Sequence, residues 1–301
     1  MFREFFLKNH INLNINVVEG IDISNIHIIL IHVHGVGSHF QNVYNSLDEF
    51  NERDKFFSKF NFKSFALEFH GHGKSDGTRC AINNFDDLIY DLATVTNYIS
   101  KKYNKPIYLF GESMGCAVIF KYCITIPNNI SGVIFLSPLC GIDKNLKPNC
   151  LIKNILLGLS KICPNLQLVS TTRNMSKQAT ENVEYIKAKQ NNPYFYKNSH
   201  RLCTGRELLE VSDWIEKNSH SFSKPILIFH GKNDHITDPL ITQKVFNEIS
   251  SSNKELYLIE NGQHILLLDN NKDSIIPEFI FVKTLIWLQK NIEKKITISN
   301  E

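Results

Sequence analysis

Short apolar runs alternate with longer segments of helical periodicity along most of the chain. The apolar runs are rich in Ile, Val, Phe and Leu and nearly continuous, which is typical of strands buried on both faces of a parallel sheet. We predict six such strands, at 26–33, 62–69, 107–110, 133–136, 226–229 and 256–259. Helices are predicted at about 84–102, 114–126, 239–250 and 276–293. This alternation predicts an α/β fold with a mostly parallel central sheet flanked by helices.

The alternation stops once, from residue 140 to residue 223. This segment has helical and loop patterns but no run of the buried-strand type. We therefore interpret 140–223 as an inserted helical cap, or lid. Residues 1–139 and 224–301 then form the core of the fold.

One apolar stripe stands out within this insert. Six residues repeat at helical spacing over 151–163: Leu151, Ile152, Ile155, Leu156, Leu159 and Ile162. A helix of this kind can pack its apolar face on the core, contact lipid or line an apolar tunnel, and these uses are compatible. Ile155 and Leu159, near the middle of the stripe, are candidate contacts for an apolar substrate.

Composition and charge narrow the function classes. Of 301 residues 43% are hydrophobic, which supports a large buried core without disulfide bonds. The formal net charge is +3 and the basic residues are scattered, which argues against a nucleic-acid-binding protein. Seven cysteines, an odd number, predict reduced thiols in an intracellular protein.

The sequence has no recognisable targeting pattern. The first ten residues, MFREFFLKNH, lack the apolar core of a signal peptide, and no apolar run reaches the roughly 18 residues that span a bilayer. We expect a protein that is cytoplasmic or peripheral to intracellular membranes. The pattern leaves its oligomeric state open.

The strongest motif is the sequence GESMG at 111–115. It follows a predicted strand and precedes a helical pattern, which is the order of a nucleophile elbow. Small residues are needed on both sides of the serine because the turn is tight and the helix packs close to the strand. Ser113 is therefore the predicted nucleophile, at the N-terminus of a helix whose dipole favours developing negative charge.

A serine hydroxyl needs a base to take its proton, and the base needs a group that orients it. In this architecture the chain order is serine, acid, histidine. His264 follows the last predicted strand, and Asp234 follows the strand at 226–229. We predict His264 as the base and Asp234 as the acid.

Other histidine and aspartate side chains could in principle act as base, acid or metal ligand, but we assign them structural roles. His230 ends a strand only four residues before Asp234, which favours packing. Asp238 directly precedes a proline, as a helix N-cap often does, and it is the alternative acid. His32 and His34 alternate on one strand, but no carboxylate or cysteine cluster lies near them in the sequence, so we do not expect a metal site.

An oxyanion hole requires two backbone N–H donors aimed at the developing alkoxide. The first is expected from Met114, which directly follows the nucleophile. The second is expected from Val36, in the loop after the first predicted strand, because glycines at 35 and 37 let the backbone approach closely.

Together these motifs resemble the α/β-hydrolase superfamily, and within it the monoacylglycerol lipase and lysophospholipase group. The resemblance spans nearly the whole chain. The sequence HGVG at 34–37 is similar to that family's HGxG loop, and EFHGHGKSDG at 68–77 to its D-x-x-GHGxS-[DE]-G segment. The elbow at 111–115, Asp234 and His264 resemble the family's nucleophile, acid and base.

Several positions depart from the family pattern. Glu112 stands where the family often has histidine, Cys116 replaces a common glycine, and Glu68 replaces an aspartate. The segment before the first predicted strand is short, so the sheet is expected to lack an edge strand. Cys203 lies where related lipases often place a cap cysteine near the glycerol end of the substrate. It is a candidate substrate contact, although a buried packing thiol is the simpler expectation.

The resemblance implies a serine hydrolase that cleaves the carboxylic ester of a single-chain lipid, a monoacylglycerol or a lysophospholipid, through an acyl-enzyme. It implies no metal and no cofactor. The implied partners are the lipid ester and, transiently through the cap, a membrane surface. Three alternatives stay open: a broad carboxylesterase or thioesterase, an acyltransferase with the same triad, and an inactive hydrolase-fold binding protein.

Overall fold

The computed structural model describes residues 3–40, 49–169, 178–267 and 275–300. The strands are β1 (Arg3–Lys8), β2 (Asn14–Glu19), β3 (Ile28–Val33), β4 (Phe62–Glu68), β5 (Ile107–Glu112), β6 (Ile130–Leu136), β7 (Gln167–Val169), β8 (His200–Arg201), β9 (Ile226–Gly231) and β10 (Lys254–Ile259). The helices are α1 (Glu49–Ser58), α2 (Phe85–Tyr103), α3 (Met114–Thr125), α4 (Cys150–Ile162), α5 (Val183–Asn191), α6 (Leu202–Asn218), α7 (Pro239–Glu248) and α8 (Ile276–Asn300).

Eight strands form the central sheet in the order β1-β2-β4-β3-β5-β6-β9-β10. From β4 to β10 all neighbours are parallel, whereas β1 and β2 are antiparallel to each other and β2 is antiparallel to β4. The six predicted strands are all present, with ends within three residues of the prediction. The predicted α/β-hydrolase fold with its mostly parallel sheet is therefore confirmed.

The N-terminal edge of the sheet differs from the expectation. The short segment before β3 forms a hairpin of β1 and β2, so the sheet does not lack an edge strand there. In β1 the side chains alternate between exposed and half-buried, because this strand is at the edge and only one of its faces packs. A strand of this kind has no continuous apolar run, which is why the hydrophobic pattern did not reveal it.

Two apolar clusters pack on opposite faces of the sheet. One face is covered by α2, α3 and α6, which bury Ile29 and Ile31 of β3. The other face is covered by α1 and α8, which bury Ile28 and Leu30 of the same strand. Because both faces are covered, the central strands are mostly apolar, with a few buried polar residues such as His32 and Ser64. Each large apolar side chain buried there contributes about 1.5–3 kcal/mol.

The segment between β6 and β9 contains α4, α5 and α6 together with a small antiparallel pair, β7 and β8, which was not predicted. Within it, α6 packs against the core: Glu207 accepts a hydrogen bond from the backbone N–H of Phe85, and Thr204 donates one to the carbonyl of Cys80. Four residues of the apolar stripe on α4 are exposed, by 69% (Leu151), 47% (Ile152), 59% (Ile155) and 80% (Ile162). That part of the stripe faces outward instead of packing on the core.

Candidate active site

Ser113 lies at the sharp turn between β5 and α3. Its φ of 50° and ψ of −116° are in a region that residues with a side chain rarely adopt, at a cost of about 1–3 kcal/mol. The surrounding backbone holds this conformation: the N–H of Ser113 donates to the carbonyl of Leu136 at 3.1 Å, and the carbonyl of Ser113 accepts from the N–H of Leu139 at 3.1 Å. The serine is thus fixed against the end of β6.

The two glycines of the elbow are required by close packing. A Cβ on Gly115 would lie 2.3 Å from the carbonyl oxygen of Val33, and one on Gly111 would lie 2.7 Å from Cδ1 of Ile119. Both distances are shorter than any ordinary contact, so a larger residue would push α3 away from the sheet. The spacing of the GxSxG motif is therefore explained by contacts between this helix and strands β3 and β5.

Glu112, which departs from the family's usual histidine, forms an ion pair with Arg53 of α1. The Arg53 side chain is 1% exposed, and its guanidinium carbon is 5.2 Å from the ring centroid of Phe110 on β5. A buried arginine thus neutralises the carboxylate next to the nucleophile. The pairing explains how an acidic residue is accommodated at this position.

Asp234 and His264 are in direct contact at the same edge of the sheet. Nδ1 of His264 donates a hydrogen bond to Oδ2 of Asp234 at 2.7 Å. Asp234 follows β9, and His264 follows β10, which is parallel to β9, so the two side chains meet where their strands end. Because Nδ1 is the donor, the lone pair of the neutral imidazole is on Nε2, the nitrogen a general base would use.

The carboxylate of Asp234 is buried but fully supplied with donors. Oδ1 accepts the backbone N–H groups of Ile236 and Thr237 at 2.8 and 3.0 Å, and Oδ2 also accepts the hydroxyl of Thr237 at 2.8 Å. Burial acts to raise the pKa of Asp234, but the charge of His264 and the hydrogen bonds from His230 and His264 outweigh it and hold this pKa below its usual range. The group is a carboxylate at neutral pH.

Two partners of Asp234 were not predicted to belong to the site. His230 was expected to be a packing residue, yet its Nε2 is 3.1 Å from Oδ2 of Asp234. Thr237 contacts both the acid and His264, whose Nδ1 is 3.3 Å from the threonine hydroxyl. The hint in the sequence was the spacing of four between His230 and Asp234, which brings a strand-end residue back against the loop that follows it.

Asp238 has the structural role predicted for it. Its side chain accepts the N–H of Leu240 at 2.8 Å and caps α7, with Pro239 in the first turn. It therefore serves the helix, while Asp234 contacts the histidine.

Ser113 follows β5, and the Asp234–His264 pair follows β9 and β10, with the end of β6 and residues 137–139 between them. The carbonyl of Ser137 is 3.3 Å from the hydroxyl oxygen of Thr237, and two residues later the N–H of Leu139 donates to the carbonyl of Ser113. Among the described residues no hydrogen bond joins Oγ of Ser113 to His264. Such bonds are often long before substrate binds, because the serine hydroxyl rotates freely.

The loop after β3 lies against the nucleophile, as expected for the second part of an oxyanion hole. A Cβ on Gly35 would be 3.2 Å from Cβ of Ser113, and Gly37 has a φ of 70°. Val36 between them is half-buried, and Met114 is fully buried at the start of α3. Met114 directly follows Ser113 in the chain, and Val36 follows Gly35, which lies against Ser113. The role of their backbone N–H groups as oxyanion donors stays a prediction.

His34 stabilises this loop through hydrogen bonds to the backbone. Its Nδ1 donates to the carbonyl of Gly35 at 2.7 Å, and its Nε2 accepts the N–H of Phe69 at 3.2 Å. Burial lowers the pKa of His34 to about 3, so the ring is neutral and both nitrogens are used by the backbone. The histidine of the HGVG sequence therefore stabilises the loop through these two hydrogen bonds.

The three candidate substrate contacts have different surroundings. Ile155 is exposed and Leu159 half-buried on α4. Cys203 is fully buried on α6, with its Sγ 3.9 Å from the hydroxyl of Thr204. Burial of Cys203 agrees with the simpler expectation of a packing thiol, and contact of these residues with a substrate stays a prediction.

Comparison with known proteins identifies the family of the chain. The family described as "Serine aminopeptidase, S33" (Hydrolase_4) matches residues 24–271. The chain belongs to this family. It is an α/β hydrolase, and the matched range includes every element that carries the candidate site.

Relatives and solved structures add to the comparison. The chain is 26% identical to the caffeoylshikimate esterase of Arabidopsis thaliana over 79% of its own length and 72% of that protein. It is 26% identical to the monoglyceride lipase of Rattus norvegicus over 77% of its length and 74% of that protein. A soluble variant of monoglyceride lipase from Saccharomyces cerevisiae superposes with a TM-score of 0.79, at 19% identity over 95% of this chain and 94% of the other, and so shares the fold.

No helix in the described ranges combines the length and the apolar character that crossing a membrane requires.

Proposed function

We propose that this protein is a serine hydrolase that cleaves carboxylic esters, with Ser113 as nucleophile, His264 as base and Asp234 as the acid that orients it. The observation that carries the proposal is the 2.7 Å hydrogen bond from His264 to Asp234 at the edge that also holds the strained Ser113. Resemblance to monoglyceride lipases supports ester hydrolysis as the reaction.

The reaction follows from the proton positions. Oγ of Ser113 attacks the ester carbonyl carbon while its proton moves to Nε2 of His264. Asp234 stabilises the imidazolium that forms. The N–H groups of Val36 and Met114 donate to the carbonyl oxygen as it becomes an alkoxide, and each such donor is worth roughly 2.7–4 kcal/mol.

Collapse of the tetrahedral intermediate breaks the bond to the alcohol oxygen, which takes the proton from His264 and leaves. An acyl group then remains on Ser113. A water molecule, deprotonated by His264, attacks this acyl-enzyme, and the carboxylic acid is released as the serine recovers its proton. Across both steps, one ester and one water molecule give one alcohol and one carboxylic acid.

The substrate class in the proposal is a single-acyl-chain lipid, a monoacylglycerol or a lysophospholipid. Its support is the repeated occurrence of monoglyceride lipases among relatives of rat, mouse and human origin, each 25–26% identical to this chain. An ester that carries one chain and a small polar alcohol also suits a serine covered by a cap segment.

Transient contact with a membrane surface belongs to the same proposal. The exposed stripe on α4 presents Leu151, Ile152, Ile155 and Ile162 to the solvent, which is the arrangement expected of a helix that dips its apolar face into a lipid interface. Such contact would bring the cap to a substrate that is poorly soluble in water.

A broad carboxylesterase is the second candidate, favoured by the similarity to caffeoylshikimate esterase, which is as high as that to the lipases. The triad chemistry is the same in both cases, so only substrate choice separates them. A preference for short or aromatic acyl groups would favour this candidate.

The test combines labelling with a substrate panel. We expect Ser113→Ala to abolish both ester turnover and labelling by a fluorophosphonate probe. Ser131→Ala, a buried serine on β6, should leave both unchanged. Labelling of a folded Ser113→Ala protein would overturn the assignment.

The substrate class is tested on monoacylglycerols and lysophospholipids of increasing acyl chain length. We expect kcat/KM to rise with chain length. A maximum of kcat/KM on acetyl esters would favour a general esterase over a lipase.

A further inference from the structure

A second histidine contacts the carboxylate that binds His264. Oδ2 of Asp234 receives Nδ1 of His264 at 2.7 Å on one side and Nε2 of His230 at 3.1 Å on the other. His230 is fully buried at the end of β9. The carboxylate therefore lies between two imidazole rings, only one of which is used in the reaction proposed above.

The hydrogen bonds decide which nitrogen of His230 carries the proton. A carboxylate only accepts, so Nε2 must be the N–H that faces Asp234. Nδ1 is then an acceptor, and it lies 3.0 Å from the hydroxyl of Thr242 on α7, which can donate to it. In the other tautomer the lone pair of Nε2 would face Oδ2 of Asp234 at 3.1 Å without a proton between them. Asp234 is thus the group that selects the tautomer, and the hydroxyl of Thr242 completes it by donating to Nδ1.

We propose that His230 is a positioning residue for the reaction, and that Thr242 holds its ring in place through the hydrogen bond to Nδ1. The inference rests on the function proposed above. His230 fixes Oδ2 in the direction that receives the Nδ1 proton of His264, and it shares the negative charge of the carboxylate. Neither residue touches the substrate.

Three titratable side chains reach this network in the described part of the chain. Asp234 and His264 lie on the loops after β9 and β10, and Cys140 lies across Thr242. Burial raises the pKa of the Cys140 thiol to about 12, so it carries no charge in the working pH range. A change in the pH profile of a His230 or Thr242 variant can therefore be traced to the Asp234–His264 pair.

Loss of the hydrogen bond from His230 should shift the pH profile of kcat/KM in one direction. Without that hydrogen bond more of the negative charge of Asp234 acts on His264, and the protonated form of His264 is favoured. The acid limb of the kcat/KM profile should then move to higher pH. Because Oδ2 is then no longer held in the direction of the Nδ1 proton of His264, the base is less well oriented, and kcat should fall while KM stays near the wild-type value.

The experiment compares four variants of the full chain on a soluble p-nitrophenyl ester. In His230→Leu, which has no donor, we expect kcat to fall about tenfold and the acid limb to rise by about half a pH unit. His230→Gln keeps an N–H donor at the end of its side chain and should recover part of both effects. Thr242→Val should shift both quantities in the same direction by a smaller amount, and Thr242→Ser should match the wild type.

The outcomes separate this inference from the function on which it rests. If His230→Leu fails to fold, the Thr242→Val and Thr242→Ser pair carries the test, since Thr242 makes no hydrogen bond to Asp234 or His264 in the described residues. An unchanged acid limb and kcat in Thr242→Val and in any folded His230→Leu, with only Tm lowered, would make His230 a packing residue while ester hydrolysis stands. Absence of ester turnover in the wild type would remove the proposed function, and this inference with it.

Discussion

Two regions differ in what their side chains contact. One is the sheet edge that carries Ser113, Asp234 and His264, and the other is α4, in the segment between β6 and β9. At the edge, Asp234 is buried and receives hydrogen bonds from two backbone and three side-chain groups. On α4, apolar side chains are exposed, and Ser160 is the one residue of the helix that is fully buried. A rigid edge suits chemistry that needs fixed distances, and an exposed apolar helix suits contact with a variable, apolar partner.

The largest effect should come from the acid at the rigid edge. In Asp234→Asn the amide can no longer serve as the charged acceptor for His264, and we expect kcat to fall by about 10⁴, as for the equivalent change in a serine protease. Steady-state kinetics on a soluble ester measures it. Asp238→Asn is the matched control, because asparagine caps a helix as well as aspartate does. A loss below tenfold in Asp234→Asn would assign the acid to another residue, with Asp238 tested first.

A pair of glycine substitutions compares the packing of the two regions. Gly115→Ala forces a Cβ to within 2.3 Å of the Val33 carbonyl, and we expect a loss of about 2–3 kcal/mol in the free energy of unfolding. A Cβ on Gly158 of α4 meets no atom within 4 Å, so Gly158→Ala should stabilise the protein by up to about 1 kcal/mol through helix propensity. Denaturant unfolding measures both, and equal effects would contradict the difference in packing.

The smallest effect concerns the cap. Replacing Ile155 and Leu159 together by Ser should cost little stability, because Ile155 is 59% exposed. It should flatten the rise of kcat/KM with acyl chain length, to which each buried methylene contributes about 0.8 kcal/mol. The panel of monoacylglycerols measures the slope, with Leu240→Ser, an exposed leucine outside the cap, as control. An unchanged slope would exclude these two residues from the acyl-chain path.

What could be predicted from the sequence depends on how local the signal is. The strand–GESMG–helix order is local, and it predicted the position of the elbow; Asp238 before Pro239 likewise predicted a helix N-cap. The proximity of Asp234 to His264 followed from the rule that parallel strands end at one edge, so residues 30 apart in sequence could be paired. These predictions required no knowledge of side-chain packing.

Other features depend on contacts that a pattern does not contain. An apolar stripe tells which residues of α4 share a face but not whether that face points to the core or to solvent. The role of His230 depends on a rotamer and on Thr242, 12 residues later on a helix. In the missed β1–β2 hairpin, β1 is an edge strand that buries only one face, and β2, although buried, carries Asn16 and Glu19 among its apolar residues.

The start of the insert is attached to the catalytic edge before the cap departs from it. Leu139 binds the backbone of Ser113, Gly141 accepts the N–H of Asp238, and Ile142 forms a bridge with Thr237. These attachments hold the chain in place up to residue 142, next to Ser113 and the Asp234 loop. A change in length or sequence beyond residue 142 should therefore leave the geometry of Ser113, Asp234 and His264 intact.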